Sequence, residues 1–494
     1  MRSVTDILLI APLPLDEQRM GPAIRYWEFA RTLSGDHDVT LLVNNEDHPC
    51  HPEFAVRCGA EEDLASLLNR CQVVVVQGPT LQLHPGLAEA MAQRRHFLVV
   101  DLYDPISLEQ LFIDTQGELG RALHLEYWAL LREQLRLGDF FLCASERQRD
   151  HWLGWLAALG RVSHDTWDGG SLRRMIDVVP FGLPAEPPQP AGPVLKGRVP
   201  GIGPDNRVIL WGGGLWDWLD PLTPVRAMEA VARRHEDARL VFFDAARARM
   251  PMLERTRQIA AELGLLDRHV FFVPWLPPGQ WPASLLEADI GLSFHPAGME
   301  TRLAFRTRLL DYVWAGLPTV TAEGDVLSEL IAARGLGTAV PPGDEAGLAA
   351  AICHLLDEPD ARGPRQEGFR ALAAEFQWER VCAPLAAYCR EPWHAGDAGQ
   401  GYEVRWQEAQ RDHWLSEAAR SERLRFSAEA RAAAAEGEQA RAAEEARHLE
   451  ARVATLSQEL RSSEERYQAA MNGRVMRLLT GLQRSWRHLR GRPE

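Results

Sequence analysis

The rhythm of apolar and polar positions changes twice along this chain. In residues 1–182, short apolar runs alternate with stretches that are apolar every third or fourth residue. That alternation predicts buried parallel strands covered by amphipathic helices. Ile7–Ala11, Val39–Val43, Val73–Gln77, Phe97–Asp101, Phe140–Ala144 and Ile176–Pro180 read as strands. Ala23–Leu33 reads as a helix with an apolar stripe of Ile24, Trp27, Ala30 and Leu33, and Ser145 as the N-cap of another.

Residues 183–205 break the pattern with seven prolines, from Pro184 to Pro204, and read as a linker. A second α/β half then spans 206–392. Val208–Trp211, Leu240–Phe243, Val270–Val273, Ile290–Phe294 and Thr319–Thr321 are its predicted strands. Leu222–Arg234, Arg306–Trp314, Ala346–Leu356, Gly368–Glu375 and Trp378–Cys389 are its predicted helices. The expected architecture is two Rossmann-like α/β domains facing across a cleft.

The rhythm changes again beyond Gln407, where Ala, Glu and Arg dominate. Ala446, Leu449, Val453, Leu456, Leu460 and Tyr467 fall at alternating steps of three and four, with Ser463 interrupting the seam. This predicts a coiled-coil helix over 403–472 that could self-associate. If continuous, the arm reaches about 90–100 Å at ~1.5 Å per residue. A separate basic helix is expected over 473–494. There Arg474, Arg477, Arg484, Arg487, Arg490 and Arg492 flank Val475, Leu478, Leu479, Leu482, Trp486 and Leu489. Such a helix suits an anionic membrane surface, an oligomer contact or a solvated tail.

Composition narrows the chemistry. A net charge of −15 disfavours general nucleic-acid binding. Lys196 is the single lysine and lies in the proline-rich segment, so phosphate charge must be met by arginine, backbone N–H groups or helix N-termini. The seven cysteines are irregularly spaced, with no C-x-x-C pair, which argues against a disulfide framework or zinc site. Neither a signal peptide nor a membrane-spanning run is evident, so the expected location is cytoplasmic, with peripheral contact at the inner face of a membrane through 474–492.

Ligands of such folds lie beyond the carboxyl ends of strands, so those loops hold the candidate residues. On the first half, Gly21 and Arg25 either meet an anionic ligand group or pack a loop. Asp101, Tyr103 and Asp104 follow a strand; a carboxylate there could orient or deprotonate an acceptor hydroxyl, and Asp104 could equally cap the next helix. On the second half, Gly212, Gly213 and Gly214 follow a strand and permit close approach to a diphosphate, or make an ordinary turn. Trp216 could stack on a base or sugar, or pack its loop, and Asp220 lies in the same loop. The densest cluster is Glu300, Arg302, Arg306, Arg308 and Asp311. Its acids could hold sugar and ribose hydroxyls and its arginines a leaving diphosphate, or Arg308 and Asp311 could pair with each other.

Two segments carry a family resemblance. IDVVPFGLP (176–184) and LLDYVWAGLPTVTAEGD (309–325) resemble glycosyltransferases of the GT-B fold, in the broad retaining group often called family 4. The resemblance covers roughly residues 1–390. It implies transfer of a sugar from a nucleotide-diphosphate sugar to a glycan or lipid-linked acceptor, as in surface polysaccharide synthesis, with no cofactor or metal. It places the donor on Gly212–Gly214, Trp216, Asp220 and the 302–311 cluster, with Glu300, Asp104 and Asp101 as catalytic acids. Gly21, Arg25 and Tyr103 fall on the acceptor side. This chain departs from the group in three ways. Of the group's two helix glutamates, the first position is Leu303, with Glu300 the nearest acid, and the second is Asp311. The group's arginine and lysine after the glycine loop fall on Gly214 and Leu219, so Arg306 or Arg308 would have to substitute. Its acceptor-side histidine is Tyr103. An inactive scaffold that assembles glycan-synthesis enzymes at a membrane is the alternative those departures leave open.

Overall fold

The computed structural model describes residues 4–16, 20–59, 64–84, 86–112, 118–190, 192–244, 251–358, 360–397 and 402–490. Contacts divide the chain into two units, 1–417 and 418–494.

The first unit holds two parallel sheets. Strands β1 (Asp6–Ile10), β2 (Asp38–Val43), β3 (Ala55–Cys58), β4 (Val73–Gln77), β5 (Phe97–Asp101), β6 (Phe140–Cys143) and β7 (Ile176–Val178) run in the order 3-2-1-4-5-6-7. Strands β8 (Arg207–Trp211), β9 (Ala238–Asp244), β10 (Val270–Pro274), β11 (Ile290–Ser293), β12 (Thr319–Ala322) and β13 (Gly337–Val340) run in the order 10-9-8-11-12-13. A parallel sheet covered on both faces needs apolar side chains on both sides of each strand. β1 meets this demand: Ile7 and Leu9 enter one core layer, Leu8 and Ile10 the other. Strand order reverses beside β1 and beside β8, which opens a crevice at the carboxyl ends there.

The proline-rich segment is ordered where it meets the second lobe. The Glu287 carboxylate accepts from the backbone N–H groups of Val194, Leu195 and Lys196 at 2.6, 3.0 and 2.6 Å. Lys196 Nζ pairs with Asp289 at 2.9 Å. The single lysine is thus consumed in fixing a chain segment.

The chain's last globular stretch packs on the first lobe, although sequence placed residues up to 392 with the second. It returns at one point: Leu183 N–H donates to Phe376 O at 2.7 Å, and Trp378 N–H to Leu183 O at 3.1 Å. Buried Trp378 then meets Phe29 and Phe181 edge-on. A Cβ at Gly182 would stand 2.4 Å from the Trp378 ring, so only glycine admits this approach. Farther on, Tyr388 stacks on Phe140 with centroids 4.8 Å apart.

The arm is one helix, Tyr402–Arg490, of 89 residues. It runs through Gly473 without a break, so the separate basic helix expected there does not form. Gly473 costs roughly 1 kcal/mol relative to alanine in a helix interior, too little to interrupt so long a run. Arg492 lies outside the described residues, as do the side chains of Trp486, Arg487, Leu489 and Arg490. Among the described residues, no helix is long and apolar enough to cross a membrane. All seven cysteines are free thiols, and Cys58, Cys143, Cys353, Cys382 and Cys389 are buried.

Candidate active site at the facing strand ends

β5 ends in the candidate residues of the first lobe. Arg25, in the first turns of helix Gly21–Leu33, points into the protein. Its Nε and Nη2 grip Asp101 at 2.7 and 3.0 Å, and Nη1 and Nη2 donate to the carbonyls of Pro180 and Val179. Its guanidinium lies over the rings of Phe29 and Tyr103 at 4.5 and 4.6 Å. Burial works against the Arg25 charge, but Asp101 more than offsets this and raises its pKa. Both side chains are wholly buried. Arg25 and Asp101 therefore neutralise each other, and neither meets a ligand as sequence suggested. Among the described residues, no atom lies within 4 Å of where a Cβ on Gly21 would stand.

Tyr103 is likewise committed. Its hydroxyl donates to Phe305 O of the second lobe at 3.2 Å. Gln148, on a helix capped by Ser145, joins the same junction. Its Nε2 donates to Tyr103 O at 2.8 Å and to Leu303 O at 2.7 Å, one carbonyl from each lobe. The ends of β5 and β11 are thus drawn together, with the short helix Met299–Leu303 packed against Ile106–Glu109 and Glu146–Ala158.

Three carboxyl groups and one arginine meet at this junction. Asp104 accepts from Gln77 Nε2 at 3.0 Å, at the end of β4. Burial, then the charge of Asp101, pushes Asp104 up to about 7, with Glu300 across the junction adding to the shift. Glu109 is raised by burial and then by Asp104 and Glu300. Glu300 is buried and accepts from Arg306 Nη2 at 2.6 Å. Glu300 Oε1, Arg306 Nε and Gln77 Oε1 have no hydrogen-bond partner among the described residues. Each such orphan costs about 1–3 kcal/mol, a cost that ligand atoms or water would relieve.

Behind Glu300, buried His295 at the end of β11 lies 3.0 Å from Asp325 through Nε2 and 3.4 Å from Thr301 Oγ1 through Nδ1. Asp325 also accepts from the N–H groups of Leu327 and Ser328, capping helix Val326–Ala333. Burial alone would raise the Asp325 carboxyl; the hydrogen bond and charge of His295 hold it below its usual value. This dyad anchors the floor of the cluster.

The glycine turn after β8 forms a second part of the site. Gly213 has φ +90°, which favours glycine. Gly212 N–H donates to the Tyr312 hydroxyl at 2.7 Å. Arg308 donates through Nη2 to Gly214 O at 3.1 Å and lies over the Trp211 ring at 4.8 Å. Its Nη1 is another buried orphan. Burial lowers Arg308 to about 10, which marks a cation short of counter-charge. Asp311, on the same helix Thr307–Trp314, accepts from Trp281 Nε1 at 3.1 Å, and burial raises it to about 7. The Arg308–Asp311 ion pair is not formed. Trp281 stacks beside Trp275, centroids 6.2 Å apart, at the carboxyl end of β10.

Three further sequence candidates sit elsewhere in their chemistry. Trp216 stacks on Trp218 at 5.3 Å and packs against the second lobe's core, so its face is occupied. Asp220 accepts from the N–H and hydroxyl of Thr223 at 3.0 and 2.6 Å, holding the start of helix Leu222–Arg234. Arg302 is exposed on its short helix, apart from the buried pair beside it.

Residues 206–358, which carry this second part of the site, match the family of glycosyl transferases group 1. No curated protein matches the sequence. Solved structures do match in shape. Sucrose-phosphate synthase from Thermosynechococcus elongatus is similar at TM-score 0.54 and 15% identity, over 78% of this chain and 98% of that one. Anabaena HepE, solved with UDP and glucose, is similar at TM-score 0.54 and 15% identity, over 78% and 100%. WaaG, a glycosyltransferase involved in lipopolysaccharide biosynthesis, is similar at TM-score 0.51 and 16% identity, over 80% and 100%. The fold is GT-B. The likeness in sequence to group 1 glycosyl transferases falls on its second lobe.

Within this GT-B frame, sequence reasoning passed over Gln77, Glu109, Trp281, and the partnership of His295 with Asp325. Glu109 gave a weak signal, as an acid on the helix just after a strand-end carboxylate. Trp281 gave none, because its value lies in meeting Asp311, 30 residues away.

Proposed function

We propose that this protein transfers a sugar from a nucleoside-diphosphate sugar to an acceptor hydroxyl. The observation that carries the reading is a run of buried, unpaired polar atoms, Glu300 Oε1, Arg306 Nε and Arg308 Nη1, beside a glycine turn. Arginine N–H groups left without partners at a strand end are suited to a diphosphate, whose charge grows as it departs. The Gly213–Gly214 turn lets backbone approach that group. Arg308, with Arg306, supplies the charge that the family's arginine and lysine would give. Asp311, steadied by Trp281 Nε1, takes the ribose hydroxyls, and the Trp275–Trp281 pair offers a face for the base. Glu300 holds hydroxyls of the transferred sugar.

The acceptor enters from Gly21 and Asp104. Its oxygen forms a bond to the anomeric carbon as the bond to the diphosphate breaks. Asp104, with a pKa near the working pH, orients that hydroxyl and can accept its proton. Retention of configuration, a glycan or lipid-linked acceptor, and peripheral contact with the cytoplasmic face of a membrane through 474–492 belong to the same proposal.

The test is a thermal-shift and calorimetric screen against UDP, GDP and dTDP, followed by donor turnover with and without sugar acceptors and the product's anomer by NMR. Stabilisation by one diphosphate, with donor consumption, supports the reading. Absence of binding to all three would overturn it.

A further inference from the structure

The arm of the second unit carries an uncovered apolar seam. Leu449, Val453, Leu456, Leu460 and Tyr467 are between 55% and 64% exposed along one continuous helix. Their alternating three- and four-residue steps make a strict a/d seam, with Ala446, Val453, Leu460 and Tyr467 at a and Leu449, Leu456 and Ser463 at d. So narrow a stripe suits one facing helix. The flanking charges say which helix, and in which direction.

The g positions read Glu445, Arg452, Glu459 and Arg466, and the e positions Glu450, Ser457 and Glu464. In a parallel pair of arms each g residue faces the e residue five positions later. That sets Glu445 against Glu450 and Glu459 against Glu464, both repulsive, and leaves Arg452 against Ser457. In an antiparallel pair, g faces g. We infer that two copies of this chain pair their arms antiparallel, with Leu456 of one copy facing Val453 of the other. Leu449 then faces Leu460, Glu445 faces Arg466 and Arg452 faces Glu459. Every g–g contact joins opposite charges.

One observation fixes the register, and a second supports the direction. Because the g charges alternate in sign, sliding one arm by a heptad would set Glu against Glu and Arg against Arg throughout. And the bulky Tyr467 faces Ala442 of the second copy, whereas a parallel pair would press Tyr467 against its own counterpart. The segment before the overlap then leaves the paired region at opposite ends.

The full-length chain should sediment as a dimer at micromolar concentration. Glu459→Arg sets two arginines together at both symmetry-related contacts of the antiparallel pair, so the dimer Kd should rise roughly tenfold. Arg452→Glu should weaken it similarly, and the double variant Arg452→Glu/Glu459→Arg should recover it. In a parallel pair, Glu459→Arg would instead meet Glu464 and tighten the dimer. Tightening by Glu459→Arg, no recovery in the double variant, or a chain monomeric throughout would each overturn the inference. Far-UV circular dichroism of each variant separates a lost dimer from a melted helix.

Discussion

One oxygen of the Glu300 carboxylate accepts from Arg306 Nη2 at 2.6 Å, while its other oxygen and Arg306 Nε stay unpaired. The pair is thus half-satisfied among the described residues. Replacing Glu300 by Gln keeps the shape and removes the charge. Turnover should fall about 100-fold with a smaller change in donor KM. Stability should fall as well, because Arg306 then keeps a buried charge without its partner. Steady-state kinetics and a melting curve read the two effects separately; unchanged kcat would remove Glu300 from the reaction.

Asp311 sits apart from that chemistry, against Trp281. Asp311→Ala should weaken nucleoside-diphosphate affinity roughly tenfold or more, since a charge-assisted hydrogen bond to a ribose is worth about 1.5–3 kcal/mol. Calorimetric titration with the diphosphate alone isolates this from transfer. Equal affinity in both proteins would place the ribose elsewhere.

The raised Asp104 makes a stability prediction with a definite sign. Its folded pKa of about 7 lies above the ordinary value of ~3.9. Between those values the folded state keeps a proton that the unfolded chain has lost, so the group's contribution is present at acid pH and lost as pH rises to 7. Asp104→Asn should therefore match the native melting point near pH 4 and exceed it by roughly 4–8 °C at pH 8, the gap between the two values being worth about 4 kcal/mol and a unit of this size shifting by about 1–2 °C per kcal/mol. An increment that does not vary with pH would contradict the assignment.

Arg25 is read as structure. Arg25→Met should destabilise the fold by about 3–5 kcal/mol, because Asp101 is left charged and buried. The fraction that folds should bind nucleoside diphosphate as the native protein does. A variant that folds normally but loses affinity would restore Arg25 to the ligand.

Much of this was legible in the sequence where the local pattern is itself the cause. β4, with four consecutive valines, and β1 are buried on both faces and announce themselves. β3 and β13 went unread because edge strands need less apolar surface: Arg57 in β3 and Thr338 in β13 are exposed. The cluster from Glu300 to Asp311 was visible as a run of charge after a strand. What each charge faces was not. Arg25 and Asp101 are 76 residues apart and found each other, and no spacing rule reports that. For Asp220 and Trp216 composition does not separate a ligand group from a cap or a stacked ring, and the partners here are Thr223 and Trp218.

The chain crosses between its lobes twice, and both crossings lie side by side where Leu183 bonds to Phe376 and Trp378. Two runs of chain thus meet at one joint between the lobes. Tyr103 and Phe305 join the lobes one aromatic ring away from that joint, with Tyr103 6.3 Å from Phe181 and Phe305 6.0 Å from Phe376 between ring centroids. The carboxylates at the strand ends are therefore set against the same aromatic seam that carries the chain from one lobe to the other.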